Sequence, residues 1–581
     1  MSPLAFPGLA LHSSRFNHSS FFTFSLLMTS IAEKIQQAQQ FRHNPPLDLH
    51  FDTLREMVDS RVAHSPDAVY LISYDTAGNR TELTYGVFGE RVRAGAALLA
   101  GLGVRRGDRV ATYAANHAET VVAYFSALYL GACLVPVNMT EDADRRKFIV
   151  ENSQARVILA LHQFTGLALS LAQEIPAIEH VVQLTGDLVD GVVNWCEAQP
   201  VEAEFEAPSA QDESLIVYTS GTTGAPKGVV LLQSNLLADA HTLAMWNHLE
   251  AKDRTMCVLP IHHVNGLVVT LLTPMYFGGS TVLNARFHTD HFWERIAAEQ
   301  VRVVSVVPTL LAFLLERPEL FEADKVRSLA HIICGAGPLT VELGKAFEDA
   351  FGVRILHGYG LSETTCYSSM LPVELTPEEH RHWMCDFGFP SIGVALPGCE
   401  MAIHDPSGNP VPHGTRGEIV ICGPTVMEGY FNRPDANEAA FTHGWFRSGD
   451  EGFSAVDDQG RIFFFITGRI KELIIRGGIN LSPFEIDEVL NHIPGVKCGL
   501  AVGFENFWYG EEVGAYVVLQ DGVTLDEATV LGAARQHLPF HKSPKVVVWG
   551  TEIPVTSTGK YQRNRLKPLF EQFKHEQFKE K

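Results

Sequence analysis

Leu215-Ile216-Val217-Tyr218 runs directly into Thr219-Ser220-Gly221-Thr222-Thr223-Gly224-Ala225-Pro226-Lys227-Gly228. An apolar run that stops at a Gly/Thr-rich turn reads as a strand delivering its end to a loop. The glycines let successive backbone amides face one anion. The hydroxyls of Thr219, Ser220, Thr222 and Thr223 add donors and Lys227 adds a positive charge, so the segment reads as a phosphate cradle. Its spacing is not GxxxxGK[ST], and a P-loop nucleotidase is not implied.

On both sides of this loop, from about residue 50 to 440, amphipathic helices alternate with short apolar strands, as in FDTLREMVDSRVAH then AVYLIS, or AETVVAYFSALYL then CLVPV. That alternation predicts an α/β fold with a mainly parallel sheet. Beyond about 385 the texture becomes Gly- and Pro-punctuated strands (GEIVICG, GRIFFFITG), expected to form a β-barrel-like subdomain. Near 470 a small α+β unit begins. Ser482-Pro483-Phe484-Glu485 predicts a capping box at the start of its first helix. The expected organisation is an N-terminal extension over 1–27, a large domain over 28–469 and a small mobile domain over 470–581.

The chain has 581 residues and a formal net charge of −22. Such acidity argues against nucleic acid or an anionic membrane as the main partner. The nine cysteines contain no CxxC pair and read as reduced thiols of a cytoplasmic protein. Two stretches lack Asp, Glu, Lys and Arg, Thr120 to Thr140 and Thr255 to Ala285. Prolines and glycines interrupt both, so they are expected to be buried helix-turn-strand segments rather than membrane spans. Residues 1–27, rich in Ser and Phe with one cation, fit neither a transit peptide nor a secretory signal, and Met28 is an alternative start.

Five segments in order, YTSGTTGAPKG, GYGLSETT (358–365), WFRSGD (445–450), GRIKELIIRGGINLSP (468–483) and TSTGK (556–560), resemble the signatures of the adenylate-forming superfamily: acyl-CoA synthetases, adenylation domains of peptide synthetases and luciferases. The resemblance spans about residues 50 to 570. It implies ATP, Mg²⁺ and coenzyme A as cofactors and a small carboxylic acid as partner. The sequence leaves the oligomeric state open, with a homodimer among the alternatives.

The residues carry the implied roles well. Tyr359 offers a face for adenine, and the Gly335-Ala336-Gly337 turn allows close backbone approach. Glu363 suits Mg²⁺, which prefers one or two carboxylates plus the substrate's own phosphates. By resemblance Thr364 contacts the α-phosphate, Asp450 accepts the ribose hydroxyls, Arg469 reaches the same nucleotide, and Lys560 neutralises charge as the acid attacks. Lys471 corresponds to the hinge, and Gly477 and Gly478 to the path of the pantetheine arm. In Pro260-Ile261-His262-His263, His263 matches the family histidine beside the acyl carboxylate, and His262 replaces the usual aromatic. The adjacent histidines are not expected to bind metal, because neighbours on a strand point to opposite faces. VNGLVVTLL and SVVPTLLAFLL supply apolar wall, so the expected activity is ATP-dependent ligation of a hydrophobic acid to coenzyme A. The alternative is an enzyme that loads a carrier protein's phosphopantetheine.

Overall fold

The computed structural model describes residues 30–195, 205–219, 226–555 and 561–579; the extension over 1–27 lies outside them. Apolar β-branched runs form parallel strands, and the helices between them cover the sheet faces. Val69–Tyr74, Arg254–Cys257, Ser280–Asn284, Val303–Val306, His331–Cys334 and Ile355–Tyr359 form the parallel part of a 13-stranded sheet. Through Ser369–Met370 the same sheet turns antiparallel. It continues into Gly393–Ala395, Ile462–Arg469, Phe446–Val456, Gly417–Cys422 and Glu400–His404. The strands expected as a barrel-like unit thus extend that same sheet. An eight-stranded sheet holds Glu213–Thr219 and Lys227–Leu232, antiparallel across the cradle, beside the parallel strands Cys133–Val137 and Arg109–Tyr113.

Burial accounts for both charge-free stretches. The helix Ala118–Leu130 is buried at every position from Thr120 onward. Gly131 ends it at φ 83°, a left-handed conformation that glycine adopts without strain, and the fully buried strand Cys133–Val137 follows. In the second stretch, Asn265–Leu272 is a π-helix buried throughout, closed by Thr273–Phe277 and Gly278. π-Turns are rare and concentrate at functional sites. Among the described residues no helix is long and apolar enough to cross a membrane.

The small C-terminal domain is a five-stranded sheet: the hairpin Ile474–Arg476 and Ile479–Leu481, then Gly510–Leu519, Val496–Asn506 and Val546–Gly550. The helices Pro483–Asn491 and Glu527–His537 pack on it. The expected capping box does not form. Pro483 does open the helix, but Ser482 makes no side-chain cap. Its hydroxyl donates instead to Thr467 O of the large domain, and Glu485 accepts Lys542 Nζ at 2.7 Å. A bond across the domain joint and an ion pair have displaced the local motif.

Candidate active site

The strand Lys227–Leu232 begins at the cation of the cradle, and Gly429–Tyr430 pairs with it antiparallel. That register sets Lys227 Nζ 4.0 Å from the centroid of the Tyr430 ring. The Tyr430 hydroxyl donates to Glu363 Oε1 at 2.8 Å. Burial, then the neighbouring Glu363 charge, push the phenol above its ordinary range, so it stays a donor. Burial pushes Lys227 down; Lys471 and Arg433 add to this, while Glu363 opposes it. Tyr430 therefore brings the cation expected of the cradle and the expected Mg²⁺ carboxylate onto one side chain.

Glu363 lies on the single 3-10 turn Ser362–Thr364, which the preceding residues make tight. A Cβ at Gly360 would sit 1.7 Å from Cys366 O. Thr365 is held at φ 68°, a costly conformation for a β-branched residue, with its hydroxyl donating to Thr425 O at 2.7 Å. Thr364 is buried, and its hydroxyl oxygen accepts from Ser368 Oγ at 2.8 Å. Sub-optimal backbone kept in place by surrounding bonds is a feature of ligand clamps.

The second half of the site is built on the register of Phe446–Val456 against Ile462–Arg469, in which Asp450 and Arg469 are Cα partners. Arg469 Nε lies 2.8 Å from Asp450 Oδ1, and the Tyr359 hydroxyl donates to Asp450 Oδ2 at 2.6 Å. Asp450 is fully buried. Its charge is the main reason Arg469 is pushed up, while burial and then Asp450 push Tyr359 up. Next to Tyr359, a Cβ at Gly335 would meet Tyr367 Oη at 2.7 Å, Ala336 sits at φ 63°, and Gly337 faces Pro308.

Not every predicted residue joins this cluster. Thr219 ends its strand opposite Lys227. Ser220, Gly221, Thr222, Thr223, Gly224 and Lys560 lie outside the described residues. Gly477 and Gly478 form a hairpin turn at φ 56° and 83°, and a Cβ at Gly478 would meet nothing within 4 Å. Gly477 is tied down, its N donating to Tyr509 O at 2.8 Å, and the open space lies at Gly478. The expectation for the two histidines needs correction. They occupy a turn rather than a strand, and their rings lie 4.3 Å apart. His262 is half-buried, and desolvation pushes its ring down to about 4. Sequence reading missed Tyr430, because Glu428-Gly429-Tyr430-Phe431 carries no spacing cue; only strand pairing beside Lys227 reveals it.

The donor set fits a magnesium ion. Glu363 is half-buried and accepts a hydrogen bond from Tyr430, which leaves lone pairs on the carboxylate free to ligate. Among the described residues there is no group of three or more His, Cys, Asp or Glu side chains that could hold a metal. One carboxylate completed by phosphate oxygens is the mode Mg²⁺ favours with nucleotides.

The AMP-binding enzyme family matches residues 58–431, and the AMP-binding enzyme C-terminal domain matches 485–560. A sulfoacetate–CoA ligase of Cupriavidus necator is 34% identical over 89% of this chain and 97% of its own. A feruloyl-CoA synthase of Amycolatopsis is 30% identical over 84% of this chain and 94% of its own. The ATP-bound crystal structure of MatB from Rhodopseudomonas palustris superposes with a TM-score of 0.79 at 26% identity, covering 90% of this chain and 99% of that one. The chain belongs to the AMP-binding enzyme family, within the adenylate-forming superfamily and of its acyl-CoA synthetase type.

Proposed function

We propose that the protein joins a carboxylic acid to coenzyme A in two steps. The acid's carboxylate attacks the α-phosphorus of ATP, and the bond to the β-phosphate oxygen breaks to release pyrophosphate. The coenzyme A thiol then attacks the acyl carbon, loses its proton, and displaces AMP. The observation that carries this reading is the pair of clusters Lys227–Tyr430–Glu363 and Arg469–Asp450–Tyr359, with Glu363 near enough to raise Arg469 electrostatically. Transfer of this kind asks the protein mainly for positioning and charge stabilisation.

Lys227 and Arg469 supply fixed positive charge along the phosphates. Tyr430 orients Glu363, whose carboxylate would hold a bound magnesium ion that neutralises phosphate charge. Asp450 carries the carboxylate for the ribose, oriented by Arg469. Lys560 is assigned to the α-phosphate during adenylation, and Gly477 and Gly478 to the thiol's approach once the small domain has turned about Lys471. The eight described cysteines are free thiols, which supports a reducing, cytoplasmic setting.

For the acid we favour a compact molecule with a second polar group. Leu267, Val268, Leu271, Leu272, Val306, Leu311 and Leu314, expected as apolar pocket wall, belong to the main hydrophobic core. Beside the Gly335 turn, Asn265 donates Nδ2 to Tyr367 Oη at 3.2 Å while its Oδ1, in a residue only 8% exposed, has no partner. A buried polar atom left open calls for a partner. The sulfoacetate-specific relative supports this reading. The feruloyl-CoA synthase supports the second reading, a more apolar acid. Acid-dependent ATP–pyrophosphate exchange and coenzyme A-dependent AMP release, run over short polar, aryl and fatty acids, test the function and separate the two acids. Exchange that needs no acid, or no AMP release with any acid, would overturn the ligase reading.

A further inference from the structure

Three residues after Lys560 stands Arg563, the first residue of a short 3-10 turn. Its side chain is 4% exposed, yet its polar partners lie outside the cluster around Glu363 and Asp450. Nη1 donates to Asp487 Oδ1 and to Ala501 O, each at 2.9 Å, and Nη2 pairs with Asp487 Oδ2. Nε lies 3.9 Å from Glu472 Oε2. Asp487 belongs to the helix Pro483–Asn491 and itself accepts from Ala501 N at 2.6 Å, which locks helix to sheet. Glu472 ends the turn Ile470–Glu472 directly after Arg469. One guanidinium therefore joins the chain leaving Lys560, the core of the small domain and the hinge turn.

The ends of the segment carrying Lys560 are also tied to each other. Val555 and Tyr561 pair as an antiparallel bridge, and Gln562 N donates to Pro554 O at 2.8 Å. Arg563 fastens that base to the domain core. Stability alone gives no reason for the arrangement, since a buried ion pair replaced by well-packed apolar residues is often neutral or stabilising. A bidentate fork held by a second carboxylate does fix direction. Glu472 directly follows Lys471, the proposed pivot, so the tie sets the base of the Lys560 segment relative to the hinge turn.

We propose that Arg563, braced by Asp487 and Glu472, is a positioning residue for adenylate formation, holding the base of the Lys560 segment in fixed relation to the hinge. The proposal rests on the role assigned above to Lys560. Arg563→Lys keeps the charge and loses the fork. It should slow acid-dependent ATP–pyrophosphate exchange at least tenfold in kcat with little change in the KM for ATP. Thioester formation from a chemically prepared acyl adenylate should stay within twofold of the parent. The double variant Arg563→Lys/Lys560→Ala should exchange no more slowly than Lys560→Ala alone, because both changes remove one contribution. A merely structural role predicts the opposite, with both half-reactions falling together and the two defects multiplying; either result overturns the proposal, as does unchanged exchange in a folded Arg563→Lys. If Arg563→Lys does not fold, Glu472→Gln leaves the Asp487 pair intact and is read instead. A selective loss of exchange of threefold or more supports the tie, and equal or absent losses overturn it. Lys560→Ala is the reference throughout: normal exchange in that variant refutes the lysine's role and the inference with it, whereas slow exchange there beside normal exchange in Arg563→Lys refutes the inference alone.

Discussion

The Tyr430 hydroxyl donates to Glu363 at 2.8 Å while its ring carries the Lys227 ammonium at 4.0 Å, so one side chain orients both the carboxylate and the cation of the phosphate site. The two contacts can be separated. Tyr430→Phe keeps the ring and removes the bond, and a hydrogen bond to a charged group is worth about 1.5 to 3 kcal/mol. Exchange should therefore slow roughly tenfold to a hundredfold with the thermal midpoint nearly unchanged. Tyr430→Ala should lose more, because Lys227 also loses its ring. Equal activity in the two variants would show that the hydroxyl alone matters.

Glu363→Gln retains an acceptor for Tyr430 and discards the charge. Adenylation should fall by orders of magnitude, and added magnesium should fail to restore it. The fold should survive, because Glu363 is half-buried and outside the hydrophobic core. A large drop in midpoint with normal exchange kinetics would mark it as a structural carboxylate.

Acid should destabilise the large domain through histidines that play no part in phosphate chemistry. Burial pushes His262 and His357 down to about 4 and His331 to about 3. Their folded values lie below the ordinary 6.5, so the unfolded chain binds more protons in between. The stability they contribute is complete above pH 6.5 and is lost as pH falls toward 4. His357 hydrogen-bonds Ser391 O at 2.9 Å, and His357→Gln preserves a donor there. Urea midpoints measured from pH 7 to 4 should fall less steeply in that variant than in the parent. Parallel curves would remove His357 from the account.

Two glycines should respond differently to substitution. At Gly360 a new Cβ collides with the backbone of Cys366, so Gly360→Ala should lower the midpoint by several degrees and abolish exchange. At Gly478 it meets open space, and only the φ of 83° counts against it, a penalty of about 1 to 2 kcal/mol. Gly478→Leu should therefore adenylate normally and fail in transfer to coenzyme A. Single-turnover measurement of each half-reaction checks this. Impaired adenylation in Gly478→Leu would refute the assignment of that hairpin to the thiol step.

Much of this architecture could be read from local sequence. Gly131 announced the end of a buried helix, and Pro483 the start of another. The charge-free stretches were legible as core because proline and glycine interrupt them. Ser482 and Glu485 misled because each found a stronger partner outside its own turn, Thr467 O and Lys542. The histidine pair misled because a turn, unlike a strand, brings adjacent rings together. Tyr430 and Arg563 escaped notice for one physical reason. Their partners Glu363 and Asp487 are 67 and 76 positions away, and no periodicity spans such distances.

Tyr359 and Asp450 stand on strands of a single hydrogen-bonded sheet, linked through Ser369–Met370, Gly393–Ala395 and Ile462–Arg469. Amide exchange in that sheet is therefore expected to be cooperative, the strands carrying Tyr359 and Asp450 protected to similar depth rather than fraying one by one. A floor of that kind gives no local route for letting go of a nucleotide. On the proposed function, release is expected to be timed by the smaller domain, with the larger one acting as an anvil.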